Sequence, residues 1–174
     1  LQTLLETHSP EKVRVALNKG QGIEAVEESL LTAYMHEGSV ERQNALTFLA
    51  IARNGLFDSL LKHLAPENYD RLSAELARMG ALPFVKMRTI MAKESGQKES
   101  VARLTYFLHD EMYTICDRVP IIGISQIREA SAKIVHWYDE QVQKHLEITG
   151  PADEGRRPEA VRDLLVESLP YRMR

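Results

Sequence analysis

The sequence is poor in cysteine, in charge of one sign and in long apolar runs, and each shortage excludes something. A single cysteine in 174 residues, Cys116, rules out an internal disulfide framework and suits a reducing, cytoplasmic compartment. No stretch approaches the roughly 20 apolar residues that a bilayer-spanning helix needs, so no transmembrane segment is expected. The opening Leu1-Gln2-Thr3 lacks a basic region leading into an apolar one and does not read as a signal peptide. The missing initiator Met suggests a piece of a longer chain. Lys plus Arg total 22 against 25 Asp plus Glu, a net charge of -3. That balance argues against a stable nucleic-acid complex.

The usual catalytic fingerprints are missing as well. There is no G-x-S-x-G elbow, no Gly-rich phosphate loop running into Lys-Ser/Thr, and no dinucleotide fingerprint. Of the six histidines, no two stand at i, i+4 with a Glu between them, the spacing of metalloprotease zinc. His109 and Cys116 are seven apart and are the one pair that a small helical enzyme or metal protein would use. Cys116 lies among Tyr113, Ile115 and Val119 and reads as a buried thiol. No catalytic residue, metal or cofactor is expected.

What is present is helical spacing nearly throughout, with 44% apolar and 27% charged residues. Pro10 opens a helix through Val13 and Leu17 that Gly20 and Gly22 end. Ile23, Val26, Leu30 and Tyr34 make a second. Ser39 caps a third with Val40, Leu46, Leu49 and Ala50 inward. A short helix carries Phe57, Leu60, Leu61 and Leu64, and another Tyr69, Leu72, Leu76 and Met79 up to Gly80. Pro83 opens a helix with Phe84, Met87, Ile90 and Met91, and a longer one runs from about Lys98 to Ile115 over Val101, Leu104, Leu108 and Met112. Residues 117–123 are the only candidate for extended backbone. Ser125 caps the longest helix, through Ile127, Ala130, Ile134, Tyr138 and Val142.

The expected fold is therefore all-α, eight to ten amphipathic helices in an irregular bundle or in stacked helical pairs. Residues 1–149 form the helical domain, whole or as two packed halves, 1–54 and 55–149. Residues 150–158 are a Gly, Pro and charge-rich linker, and 159–170 a docking helix that Pro170 ends. That last helix bears Val161, Leu164, Leu165 and Leu169 at i, i+3, i+4, i+8. The stripe is too short to persist alone in water, so it must dock on its own domain or on a partner, a second copy included.

Two stretches carry a family resemblance. Leu56-Phe57-Asp58-Ser59-Leu60-Leu61 is one. The other runs from Ala102-Arg103-Leu104 through Phe107-Leu108-His109-Asp110-Glu111-Met112 and Arg118-Val119-Pro120 to Ile124-Ser125-Gln126-Ile127-Arg128-Glu129-Ala130 and Lys133-Ile134-Val135. Together, over about 55–145, they resemble the C-terminal domain of the flagellar motor switch protein G family. The turn here is longer by Ile121-Ile122-Gly123. The resemblance implies a charged helix facing another protein, with Arg103, Asp110 and Glu111 at its charged positions, and a place in a bacterial motor or secretion assembly.

The leading expectation is a non-catalytic helical adaptor or scaffold that binds another protein. The alternatives are a weak nucleic-acid-binding regulator, for which Lys86, Arg88, Lys93, Lys98 and Arg103 cluster but Glu94 and Glu99 interrupt, and the small enzyme or metal protein built on His109 and Cys116.

Overall fold

The computed structural model describes residues 28–29, 31–34, 38–92, 101–118, 122–149 and 159–173. Helical backbone at 28–29 and 31–34 precedes α1 (Val40–Ile51), β1 (Leu56–Phe57), α2 (Asp58–Leu64), a 3-10 turn (Pro66–Asn68) and α3 (Tyr69–Met79). Then come β2 (Val85–Ala92), β3 (Val101–Leu108), α4 (Asp110–Arg118), α5 (Ile124–Thr149) and α6 (Glu159–Arg172). The expected helix from Pro10, most of the next one and the 150–158 linker lie outside the described residues. Among the described residues, no helix is long and apolar enough to cross a membrane.

The chain is mixed α and β, not all-α. Residues 85–108 hold two strands where the apolar spacing predicts two helices, and β1, β3 and β2 form an antiparallel sheet in that order. Met87, Ile90 and Met91, like Val101, Leu104 and Leu108, satisfy a helical period and a strand alternation over so short a run. The decision falls to β-branched and aromatic content, Val85, Thr89 and Ile90 facing Val101, Thr105, Tyr106 and Phe107. It falls also to β1, which gives β3 a second neighbour, with Leu56 opposite Tyr106 and Phe57 opposite Thr105. The 117–123 segment is no strand where it is described: Asp117 and Arg118 finish α4, and Ile122 and Gly123 lead into α5.

Local signals explain most of the helices. The Ser39 side chain accepts the Arg42 N–H at 3.2 Å and starts α1. Val40, expected inward, is 67% exposed, while Leu46, Leu49 and Ala50 are buried. α5 begins one residue before Ser125, and the Gly123 N–H is taken by the Gln126 side chain at 3.0 Å. Pro170 does not end α6, which continues to Arg172. Gly55 has φ +95°, and a Cβ there would sit 2.3 Å from Thr105 Cγ2. Only glycine turns the chain from α1 into β1 this close to β3.

The core runs from α1 and α3 through β1 and α2 to α5, with Leu46, Leu49, Leu56, Phe57, Leu72 and Ile134 essentially sealed from water. α1 and α3 are tied by Glu75, which takes Arg42 Nε and Arg78 Nη1 at 3.0 Å each while 5% exposed. α6 docks on α5: Val161, Ser168 and Tyr171 are buried, and Tyr138 Oη donates to Glu167 at 3.2 Å. The Tyr171 hydroxyl accepts the Asn54 N–H at 3.0 Å, and the Asn54 side chain donates to the Glu167 carbonyl at 2.7 Å. Arg172 pairs with Asp139 on α5.

Two stability outcomes are expected. Tyr171→Phe leaves the Asn54 N–H without its acceptor and costs about 1–2 kcal/mol in urea unfolding. Burial raises the Glu75 carboxyl, but the hydrogen bonds from Arg42 and Arg78 outweigh it and hold the group below the ordinary carboxylate range. A carboxyl lowered in the folded state stabilises fully above its unfolded value and loses that contribution as the pH falls through the folded one. Glu75→Gln therefore costs about 1–2 kcal/mol at neutral pH, and the gap to wild type closes in acid. A gap that stays constant down to pH values where carboxylates protonate contradicts this account.

Candidate functional site

The β2–β3 hairpin is buried at its base and open at its far end. Val85 and Leu108, opposite each other, are buried. Beyond β1, which covers only two residues of β3, no described strand pairs with the hairpin on either edge, although α1 contacts β3 and the Met87 side chain lies against Gly80 at the end of α3. Which backbone groups face out follows from one hydrogen bond. The His109 N–H donates to the Phe84 carbonyl at 2.9 Å, one step before the Val85–Leu108 pair. Antiparallel pairs alternate, so Lys86, Arg88, Ile90 and Ala92 turn their N–H and C=O groups toward β3. Val85, Met87, Thr89 and Met91 turn theirs toward the open edge. The Val85 N–H is taken by the Leu82 carbonyl at 3.1 Å.

Side chains alternate with the same period. Met87, Thr89, Met91, Ala102 and Leu104 share one face, and Met87 is 50%, Met91 63% and Leu104 48% exposed. On the opposite face stand Lys86, Arg88 and Arg103, and neither strand contains an acid. Lys86 reaches Asp110 at 3.9 Å, Arg88 lies 6.0 Å over the Phe107 ring, and Arg103 lies 3.5 Å over the Phe57 ring.

A second feature is an open cleft of about 400 Å³ between α2, β3, α5 and α6, lined by Lys62, His63, Arg103, Trp137, Glu140 and Lys144 among others. Glu140 stands between two imidazoles, 3.8 Å from His63 Nδ1 and 3.3 Å from His136 Nε2. Ser59 also lines the cleft, and the 3.8 Å between Glu140 and His63 is too long for a hydrogen bond. Among the described residues, no three of His, Cys, Asp and Glu converge as metal ligands.

The residues singled out by sequence are spread apart. Arg103 is on β3, half-buried against Phe57, whereas Asp110 and Glu111 are exposed in the first turn of α4, where acids suit the helix dipole. The six steps from Arg103 to His109 are mostly extended at roughly 3.3 Å each, placing the two sets on the order of 20 Å apart. They do not form one charged helical face. Of the tail residues, Val161 is buried, Leu164 and Leu165 are half-buried and Leu169 is 51% exposed. Of the clustered cations, Lys93 and Lys98 lie outside the described residues.

Sequence reasoning missed the hairpin face and the His63–Glu140–His136 group. The i, i+4 pair His136 and Glu140 was readable on one helix. Nothing local announces His63, which α2 brings in from a distant part of the chain. The strand alternation of Met87, Thr89 and Met91 was the available signal for the hairpin.

Burial pushes the Cys116 thiol up to about 11, only partly offset by the Arg53 charge. Cys116 is thus expected to alkylate with iodoacetamide far more slowly at pH 8 than a free thiol, by a factor on the order of 100 from its thiolate fraction. Unfolding in urea should abolish the difference. Fast labelling of the native protein would contradict the burial. Compared with known proteins, the chain matches no family model, no curated protein and no solved structure.

Proposed function

We propose that this chain is a non-catalytic adaptor that binds another protein, and that its binding surface is the β2–β3 hairpin. One observation carries the reading: Met87, Met91 and Leu104 are each about half exposed or more on one face of an element whose outer edge lacks a neighbouring strand among the described residues. Contiguous exposed apolar surface costs solubility, and proteins keep it where something covers it. Methionine is the side chain best able to adapt to a partner's shape. The enzyme reading has less behind it, because the Cys116 thiol is protonated at neutral pH and Glu140 stands too far from His63 for a hydrogen bond. The nucleic-acid reading has less too, since phosphate binding needs several unopposed cations along one face and the described hairpin offers Arg88 and a Lys86 that Asp110 shares, with Arg103 against Phe57.

A second copy as partner is favoured by a different surface. The outer side of α6 exposes Val166, Leu169 and Met173, at i, i+3, i+7, once its inner side has docked on α5. This is the homo-oligomer reading, through residues other than Val161, Leu164 and Leu165. The free thiol suits the cytoplasm, and the motor-switch resemblance offers a bacterial motor or secretion assembly as the setting.

The two surfaces separate by mutation. A Met91→Glu, Leu104→Glu double variant is expected to keep the wild-type melting temperature and to lose a partner that the wild type retains in cross-linking from its source cell. Leu169→Glu should keep that partner. Loss with Leu169→Glu, together with a change from dimer to monomer in sedimentation, would transfer the function to α6. A partner retained by all three proteins would overturn both.

A further inference from the structure

Resting on the reading of the hairpin as the binding surface, we infer that β2 accepts an extended segment of alternating acidic and apolar residues as a fourth strand. The open edge dictates the form of the ligand. The N–H and C=O groups of Met87, Thr89 and Met91 point away from β3, in the spacing that an added strand completes. Helices and loops match such a row of groups poorly.

The two faces dictate its chemistry. In an added strand, residues opposite Met87 and Met91 lie on the face that holds Leu104, and apolar side chains there extend the exposed patch. Residues at the intervening positions lie on the face of Lys86 and Arg88. Arg88 is exposed, and among the described residues Lys86 pairs with the exposed Asp110 at 3.9 Å. β2, the strand that carries the open edge, holds Lys86 and Arg88 with no acid, in a chain whose net charge is -3. Carboxylates at alternate positions meet that charge, because opposite charges across a strand pair attract and like charges repel.

The same cations disfavour a second copy on this edge in two of its registers. A two-fold pairing of β2 with itself centred on Met87 sets Lys86 opposite Arg88, and one centred on Arg88 sets Arg88 opposite itself. A pairing centred on Thr89, which sets Met87 opposite Met91 and Arg88 opposite Ile90, is left to the dimer arm of the test. Charged residues on an open edge are a common guard against self-pairing. Here the guard has one sign, so it still admits an acidic strand.

The test uses the full chain and labelled synthetic peptides of about nine residues, the usual upper range of a strand. One alternates Glu and Val, one alternates Lys and Val, and one has the Glu–Val composition in blocks. Fluorescence anisotropy should show binding of the alternating Glu peptide, weaker binding of the block peptide and none of the Lys peptide. Binding should slow amide exchange at Met87, Thr89 and Met91. Thr89→Pro removes one outward N–H and no bond to β3, and should weaken binding about fivefold. Arg88→Glu, at an exposed position, should shift preference from the Glu peptide toward the Lys peptide, and it carries the test if Thr89→Pro fails to fold. Equal binding of alternating and block peptides, or protection elsewhere than β2, overturns the inference. So does a dimer that Thr89→Pro dissociates, since the occupant would then be a second copy. If the cellular partner is lost with Met91→Glu, Leu104→Glu but kept with a folded Thr89→Pro, the hairpin remains the binding surface and strand addition falls.

Discussion

A continuous chain of ring contacts holds the sheet, α5 and α6 together. The Arg103 guanidinium lies on Phe57, Phe57 meets Trp137 edge-on at 5.2 Å, Trp137 meets Tyr138 at 5.0 Å, and Tyr138 stacks on Tyr171 at 6.1 Å. Each ring adds large buried area, and favourable ring pairs add about 0.5–1.5 kcal/mol beyond it. The polar ends are also satisfied, since the Tyr171 hydroxyl holds the Asn54 N–H and Tyr138 holds Glu167. Burial, with the Glu167 charge beside it, pushes the Tyr138 hydroxyl well above its ordinary value, so it stays a neutral donor across the physiological range. This chain joins the packing of β3 to that of α6 through α5.

The hairpin divides its labour along its length. Its base is part of the core through Val85, Leu108 and Thr105, and Gly55 brings β1 against it. Its outer half keeps Met87, Met91 and Leu104 in water. The buried half fixes direction and register, and the outer half stays exposed. Such a division lets surface residues at the far end change without disturbing the fold.

The helical part of the fold was legible because its signals are local. Ser39 as cap, the Leu72–Leu76–Met79 face with Gly80 after it, and the Ala130–Ile134–Tyr138 stripe all read directly. The strands were not, because eight residues hold too few apolar positions to separate a period of two from one of 3.6. What settles the matter is β1, whose two residues pair with β3 across nearly fifty positions of sequence. The exposed face of the hairpin was obscured for the same reason. Read as helix, Met87 and Leu104 belong to buried stripes, and read as strand they face water. Arg103, Asp110 and Glu111 share a face only if residues 102–112 are one helix.

Trp137 is the chain's one tryptophan, and it stands where the sheet, α5 and the cleft meet. Its indole touches Phe57 on one side and Tyr138 on the other, two contacts away from the hairpin's Arg103 and from the tail's Tyr171. The protein thus contains a native optical gauge at its busiest junction. With excitation at the red edge of the indole band, beyond the absorption of the six tyrosines, emission comes from a single site, so a spectral change needs no deconvolution among chromophores. Lifting of the tail and movement of the sheet both register there, without a dye or an engineered label.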